Sequence, residues 1–139
     1  GINAEYGDVM PKPQFFVCKD APKFENLNQI AIHNNTVYLG GVVGMPDNDT
    51  ICDGLEAQTH QCFKNIQKML QQVGSDLDHI ISLNVYLSDT LTDEQGEQFN
   101  TIYRQHFDVE AQRPLRCCVQ VKLQPGFVVE IVNVMAALK

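Results

Sequence analysis

Arg116 and Glu130 are the two residues whose types and setting point most directly to chemistry. Both lie in the stretch from Arg113 to Asn133, which reads as two strands joined at the turn Pro125-Gly126. Leu115, Cys117, Val119 and Val121 alternate with Arg116, Cys118, Gln120 and Lys122. One face of this strand is therefore apolar, and the other carries a lone guanidinium. Phe127 to Val134 is almost wholly apolar, broken only by Glu130 and Asn133. A carboxylate buried unpaired in such a run costs roughly several kcal/mol, so it is either exposed at an edge or held for a purpose. Arginine offers a rigid fork that grips a carboxylate bidentately. Glutamate can hold or activate a water. Together they suit addition of water to a small anionic substrate without a metal. The same two residues also read as a cross-strand salt bridge, and pattern alone leaves both readings open.

Other chemistries find less support. His33, His60, His79 and His106 are scattered, and His60 and Cys62 point to different sides of a helix, so no metal site is expected. There is no G-x-G-x-x-G, no P-loop and no G-x-S-x-G. Cys118 shares a strand face with Arg116, which could lower its pKa, but no histidine is placed to act as its base. The five cysteines, Cys18, Cys52, Cys62, Cys117 and Cys118, form no C-x-x-C. An odd count fits reduced thiols in a cytoplasmic setting, each read first as a small buried apolar residue.

The elements that must position Arg116 and Glu130 follow from periodicity. Residues 1–13 read as an irregular arm. Gln14 to Cys18 reads as a short strand and Asp20 to Asn28 as a loop. Gln29 to His33 and Thr36 to Leu39 flank Asn34-Asn35, a hairpin signal. Gly40-Gly41 then permits a simple turn, a bulge or a close backbone approach to a ligand. Asp53-Gly-Leu-Glu56 reads as a capping box opening a helix to Gln72, with Gly74 as its stop. Leu55, Thr59, Cys62, Phe63, Ile66, Met69, Leu70 and Val73 form its apolar stripe. Ile80 to Leu87 is a strand, with Ile81, Leu83, Val85 and Leu87 on one face. Thr92-Asp-Glu-Gln95 caps a second helix running to about Phe107, with Phe99, Ile102, Tyr103, His106 and Phe107 inward. Two helices separated in this way must cover one face of a sheet. Asn84, Arg116 and Gln120 are expected on the other face, against something semi-polar.

At 139 residues, with 44% hydrophobic and 19% charged residues, the chain reads as one globular domain over 1–139. Its formal net charge of -7 argues against nucleic acid as the main partner. No run of 18 apolar residues and no signal-peptide pattern occurs, so no membrane partner is expected. The opening residue is Gly1 rather than Met, as a remnant at the start of the chain would leave.

Several short motifs together carry a resemblance. Leu55-Glu-Ala-Gln-Thr59, Asn65-Ile66, Gly74, Val85-Tyr86-Leu87, Asp89, Asn100 with Tyr103, Pro114-Leu-Arg116, Cys118-Val119 and Val129-Glu130-Ile131 keep their order and nearly their spacing over residues 28–137. In these the chain resembles the Rid/YjgF family of reactive-intermediate deaminases, also called the endoribonuclease L-PSP family. The resemblance implies a chorismate-mutase-like α/β (α+β) fold, with two helices on one side of a mixed sheet. It also implies a homotrimer whose sheets line a central barrel, with ligand clefts between subunits.

The activity implied is hydrolysis of 2-imino and enamine acids to 2-keto acids and ammonia. No cofactor is implied, and the functional link is to pyridoxal-phosphate enzymes that release such intermediates. By the same resemblance Arg116 falls on the residue that binds the substrate carboxylate, and Glu130 on the one that positions water. Gly41, Cys118 and Asn100 fall at ligand-contacting positions. Leu27 stands in place of a tyrosine, Gly40 in place of a serine, and Gly96 in place of a pocket aromatic. The interval from Arg116 to Glu130 is one residue shorter than usual, between Val119 and Leu123. One residue flips a strand's face, so a bulge must be missing if both are to keep their places. Two other readings remain: a trimer that binds ligands or acts like a chaperone without catalysis, and an endoribonuclease or translation inhibitor.

Overall fold

The computed structural model describes residues 11–139. The arm expected over 1–13 falls largely outside the described residues.

Among the described residues seven strands form one mixed sheet: β1 (Gln14–Phe16), β2 (Ile30–His33), β3 (Thr36–Leu39), β4 (Val42–Val43), β5 (Ile80–Ser88), β6 (Leu115–Val121) and β7 (Val129–Ala137). Two helices, α1 (Gly54–Gln72) and α2 (Asp93–His106), accompany them. The order across the sheet is β1-β2-β3-β7-β5-β6, with β4 also pairing with β7. Only β5 and β6 run parallel, as the crossover through α2 requires. This is the mixed sheet with two helices that the resemblance implies.

The helix-covered face holds the core. Val37, Leu83, Val85, Leu87, Val129, Ile131, Val134 and Ala136 from the strands meet Cys62, Phe63, Ile66 and Leu70 of α1 and Phe99 and Tyr103 of α2. The opposite face has no layer over it among the described residues, and Leu115 there is 72% exposed.

Most of the elements lie where periodicity puts them. Asn34 takes φ 56 in the two-residue hairpin. The capping box at Thr92 forms, with the Gln95 N–H donating to Thr92 Oγ1 and the Thr92 N–H donating to Gln95 Oε1. The α1 stripe is buried apart from its ends, Leu55 and Val73, which are partly so. Gly74 ends that helix at φ 90.

Four expectations fail locally. The Asp53 side chain makes no capping bond; Gly54 takes φ 87 instead of a helical angle, so the first turn does not bring the carboxylate over the Glu56 N–H. β1 stops at Phe16, because Val17 and Cys18 are bonded by the side chains of Gln72 and Gln29 rather than by β2. In β5, Ile80 is buried and Ile81 is 44% exposed, since a register shift against β7 between Ile80 and Ser82 moves the core position by one. β7 runs from Val129 to Ala137 instead of from Phe127 to Val134. It passes a second register shift near Asn133, which takes φ 55.

Candidate functional site

Arg116 lies on edge strand β6, in register with Leu83 of β5. Paired residues of neighbouring strands share a face. Arg116, Cys118 and Gln120 therefore stand on the helix side with Leu83, Val85 and Leu87, and Leu115, Cys117 and Val119 stand on the open side with Ser82, Asn84 and Tyr86. This corrects the expected grouping of Asn84 with Arg116 and Gln120. Periodicity gives the two faces of β6 but not which of them turns toward the helices.

On that side α2 holds the guanidinium. Arg116 Nη2 donates to Asn100 Oδ1 at 2.9 Å. The guanidinium carbon lies 4.6 Å from the Tyr103 ring centroid and 5.8 Å from that of Phe99. Arg116 itself is exposed, and it forms no ion pair among the described residues. A planar cation fixed from below by rings and at one nitrogen by an amide keeps further donors for an anion. Cys118 is two residues along the same face. Its thiol pKa is raised, because burial outweighs the lowering by Arg116. The expected activation of that thiol is thus reversed. Cys117 and Cys118 are exposed as residues, contrary to their reading as buried, because β6 is an edge strand; the Cys118 sulfur is nonetheless screened enough from solvent for burial to dominate its pKa. Gly96 lies one helical turn before Asn100, and space for a side chain there is open.

Glu130 belongs to the other face. It is in register with Tyr86 of β5 and Val43 of β4. Its carboxylate lies against Gly41, where a β-carbon would collide with it. Gly41 thus serves a close approach, as its sequence allowed, but the approach is to a glutamate. Burial alone raises the Glu130 pKa above its ordinary value. The carboxylate lines a cavity of about 330 Å³ with Gly41, Gln124 and the apolar residues Phe24, Leu27, Val43, Leu123 and Phe127.

The cross-strand salt bridge is excluded. β5 separates the two residues, and they point to opposite faces. The seven β5–β6 pairs from Ser82↔Leu115 to Ser88↔Val121 run without a shift, so β6 carries no bulge over Leu115–Val121. Of the five residues expected at the site, Arg116, Asn100 and Cys118 group on one face, and Glu130 and Gly41 group on the other.

Two positioning residues were missed. Gln58 of α1 donates to the carbonyls of Cys52 at 2.9 Å and Gly126 at 2.8 Å, and accepts from the Val128 N–H at 3.0 Å. It fixes the turn that leads into Glu130. Asn65 donates to Met45 O at 2.7 Å and to Val43 O at 3.3 Å, pinning the end of β4 beside Glu130. The signal was present: two amides seven residues apart sit inside the apolar stripe of one helix.

No cluster of metal-ligating side chains occurs among the described residues. Cys62 is fully buried, and burial first of all raises its pKa, so it is no nucleophile. No helix of the described residues is long and apolar enough to cross a membrane.

Residues 18–137 match the family model described as Endoribonuclease L-PSP. A Giardia lamblia protein described as hypothetical has a solved structure that is 52% identical, with a TM-score of 0.89, covering 92% of this chain and 100% of that one. Protein MMF1, mitochondrial, of Saccharomyces cerevisiae is 31% identical over 105 residues, 75% of this chain and 69% of its own length. A Yersinia pestis structure described as a conserved Rid family protein is 28% identical, with a TM-score of 0.80, covering 91% of this chain and all of that one.

Proposed function

Since this chain belongs to the endoribonuclease L-PSP family, which includes the Rid proteins, we propose that it hydrolyses 2-imino acids to 2-keto acids and ammonia. The site would lie between protomers of a homotrimer. The observation that carries this is the pairing of a held, exposed guanidinium on one face of the sheet with an acid of raised pKa at an apolar cavity on the other. One protomer cannot bring the two together. The proposal therefore sets Arg116 of one protomer beside Glu130 of the next, with the β6 edge at the seam.

In the proposed reaction Arg116 grips the carboxylate and orients the imine, with Asn100 and Tyr103 holding the guanidinium. Ionised Glu130 of the adjoining protomer takes a proton from water as the oxygen adds to the imine carbon. The resulting carbinolamine carries one hydroxyl and one amino group. From the protonated imine, Glu130 returns the proton to nitrogen and then accepts the hydroxyl proton as the C–N bond breaks and the C=O bond forms, so that ammonia and the 2-keto acid leave. A raised carboxyl pKa suits this exchange, because a base works best near the operating pH. The apolar residues Leu115 and Val119 on the open face fit burial against a second sheet. Upstream, the chemistry calls for an enzyme that releases imines, such as a pyridoxal-phosphate dehydratase. Unbridged thiols keep a cytoplasmic setting within the proposal, although the yeast relative is named mitochondrial.

The test is a coupled assay. A dehydratase generates 2-aminoacrylate, and early ammonia release is followed with this protein and with Arg116→Ala. Acceleration by the wild type alone supports the reading. Equal rates with and without the wild-type protein overturn it for this substrate.

A further inference from the structure

The cavity beside Glu130 is larger and more apolar than a three-carbon substrate needs. Its volume is about 330 Å³, and five of its lining residues are Phe24, Leu27, Val43, Leu123 and Phe127. Its polar groups are gathered at Glu130, Gly41 and Gln124. In a 2-imino acid the side chain leaves from the carbon that water attacks. With that carbon at Glu130, the apolar walls of the cavity lie within reach of the side chain. A methyl group would leave most of the volume to water.

The wall that carries Phe24 and Leu27 is fixed in advance. Gln72 binds the segment before it at both the Lys19 N–H and Val17 O. Asn48 binds Lys23 at both its N–H and its carbonyl. Gln29 accepts from the Cys18 N–H and donates to Pro22 O. Phe24 and Leu27, 40% and 52% exposed, are therefore presented on a backbone tied at three places instead of folding inward with the core. Exposed apolar side chains held in this way are suited to receive an apolar group.

We propose that the site selects 2-imino acids with bulky aliphatic or aromatic side chains over the three-carbon imine, and that Leu27 and Phe127 set this preference. The inference rests on the deaminase reading and extends it to substrate class. One methylene in an apolar pocket discriminates by roughly tenfold or more, so a four-carbon side chain against a methyl leaves a wide margin.

The experiment compares imines released by an L-amino acid oxidase from leucine, phenylalanine and alanine. Their spontaneous hydrolysis is subtracted. The leucine- and phenylalanine-derived imines are expected to show kcat/KM at least about tenfold above the alanine-derived one. In Leu27→Asn, an exposed position where folding is not at stake, this ratio is expected to fall toward unity. An alanine-derived imine used equally well, or a ratio unchanged in Leu27→Asn, overturns the proposal. Product binding separates its failure from that of the deaminase reading. Binding of 4-methyl-2-oxopentanoate at least about tenfold tighter than pyruvate, lost in Leu27→Asn, supports the selective cavity even if no imine is turned over. Equal binding of the two keto acids without turnover overturns it.

Discussion

Arg116 and Glu130 lie on opposite faces of one sheet, with β5 between their strands: Arg116 is in register with Leu83, and Glu130 with Tyr86. Leu83 is buried under the helices, whereas Tyr86 stands on the open side. The residues proposed to anchor the substrate and to activate water are thus assigned to different protomers. This arrangement makes subunit mixing informative. Arg116→Ala and Glu130→Ala chains are each expected to be inactive alone. Unfolded together, mixed in equal amounts and refolded, they should recover about one quarter of wild-type activity, because one contact in four joins an intact Arg116 to an intact Glu130. Absence of any recovery, with mixed oligomers verified by mass, would place both groups of one site in a single chain.

Glu130 should govern the pH dependence of both rate and stability. Burial raises its carboxyl above the ordinary 4.5. The folded protein then holds this proton more tightly than the unfolded chain does. Stability falls as pH rises from about 4.5 through the raised value, and the penalty persists above it. Glu130→Gln is therefore expected to melt at a higher temperature at neutral pH and to lose that advantage below about pH 4.5. Activity should rise with pH through the same raised value, as the base ionises. Glu130→Gln should lower kcat by roughly 10²–10⁴-fold and remove this limb of the profile. A wild-type-like profile in the variant would move the base elsewhere.

Arg116→Lys should reduce kcat/KM by about a hundredfold, since an ammonium cannot reproduce the planar fork or its seat on the Tyr103 ring. Asn100→Ala removes only the 2.9 Å bond that orients the guanidinium. Its effect should be milder, about tenfold, and should appear mainly in KM. Steady-state kinetics on both variants check the order. Equal losses would make Asn100 a direct contact of the substrate.

Gln58 is nearly fully buried and meets three backbone groups that have no other role in a helix or ladder. Gln58→Ala leaves two carbonyls and the Val128 N–H without it, which should cost roughly 1–3 kcal/mol in urea unfolding. An unchanged midpoint would show that water replaces the amide at no cost.

The sequence alone determined most of the secondary structure. Helical spacing of Cys62, Phe63, Ile66 and Leu70 gave the buried side of α1, and Phe99, Tyr103 and Phe107 gave that of α2, because burial of an apolar stripe depends on local period. The Asn34 turn and the Thr92 box also form from local chemistry. Arg116 and Glu130 stood out because charge in or beside an apolar strand needs a reason.

Only the tertiary structure decided how these pieces face one another. Alternation shows that β6 has two unlike faces, but its parallel register with β5 turns Arg116 toward α2 and Leu115 to the open side. The shifts at Ile81 and near Asn133 depend on how β5 and β7 settle against each other, and no single strand encodes them. The amides of Gln58 and Asn65 acquire their roles from backbone groups that only the folded chain brings to α1. Local patterns are set by the backbone's own period, whereas faces, registers and polar partners are set by pairing between distant segments. The two halves of the candidate site therefore became separate only once the sheet was assembled.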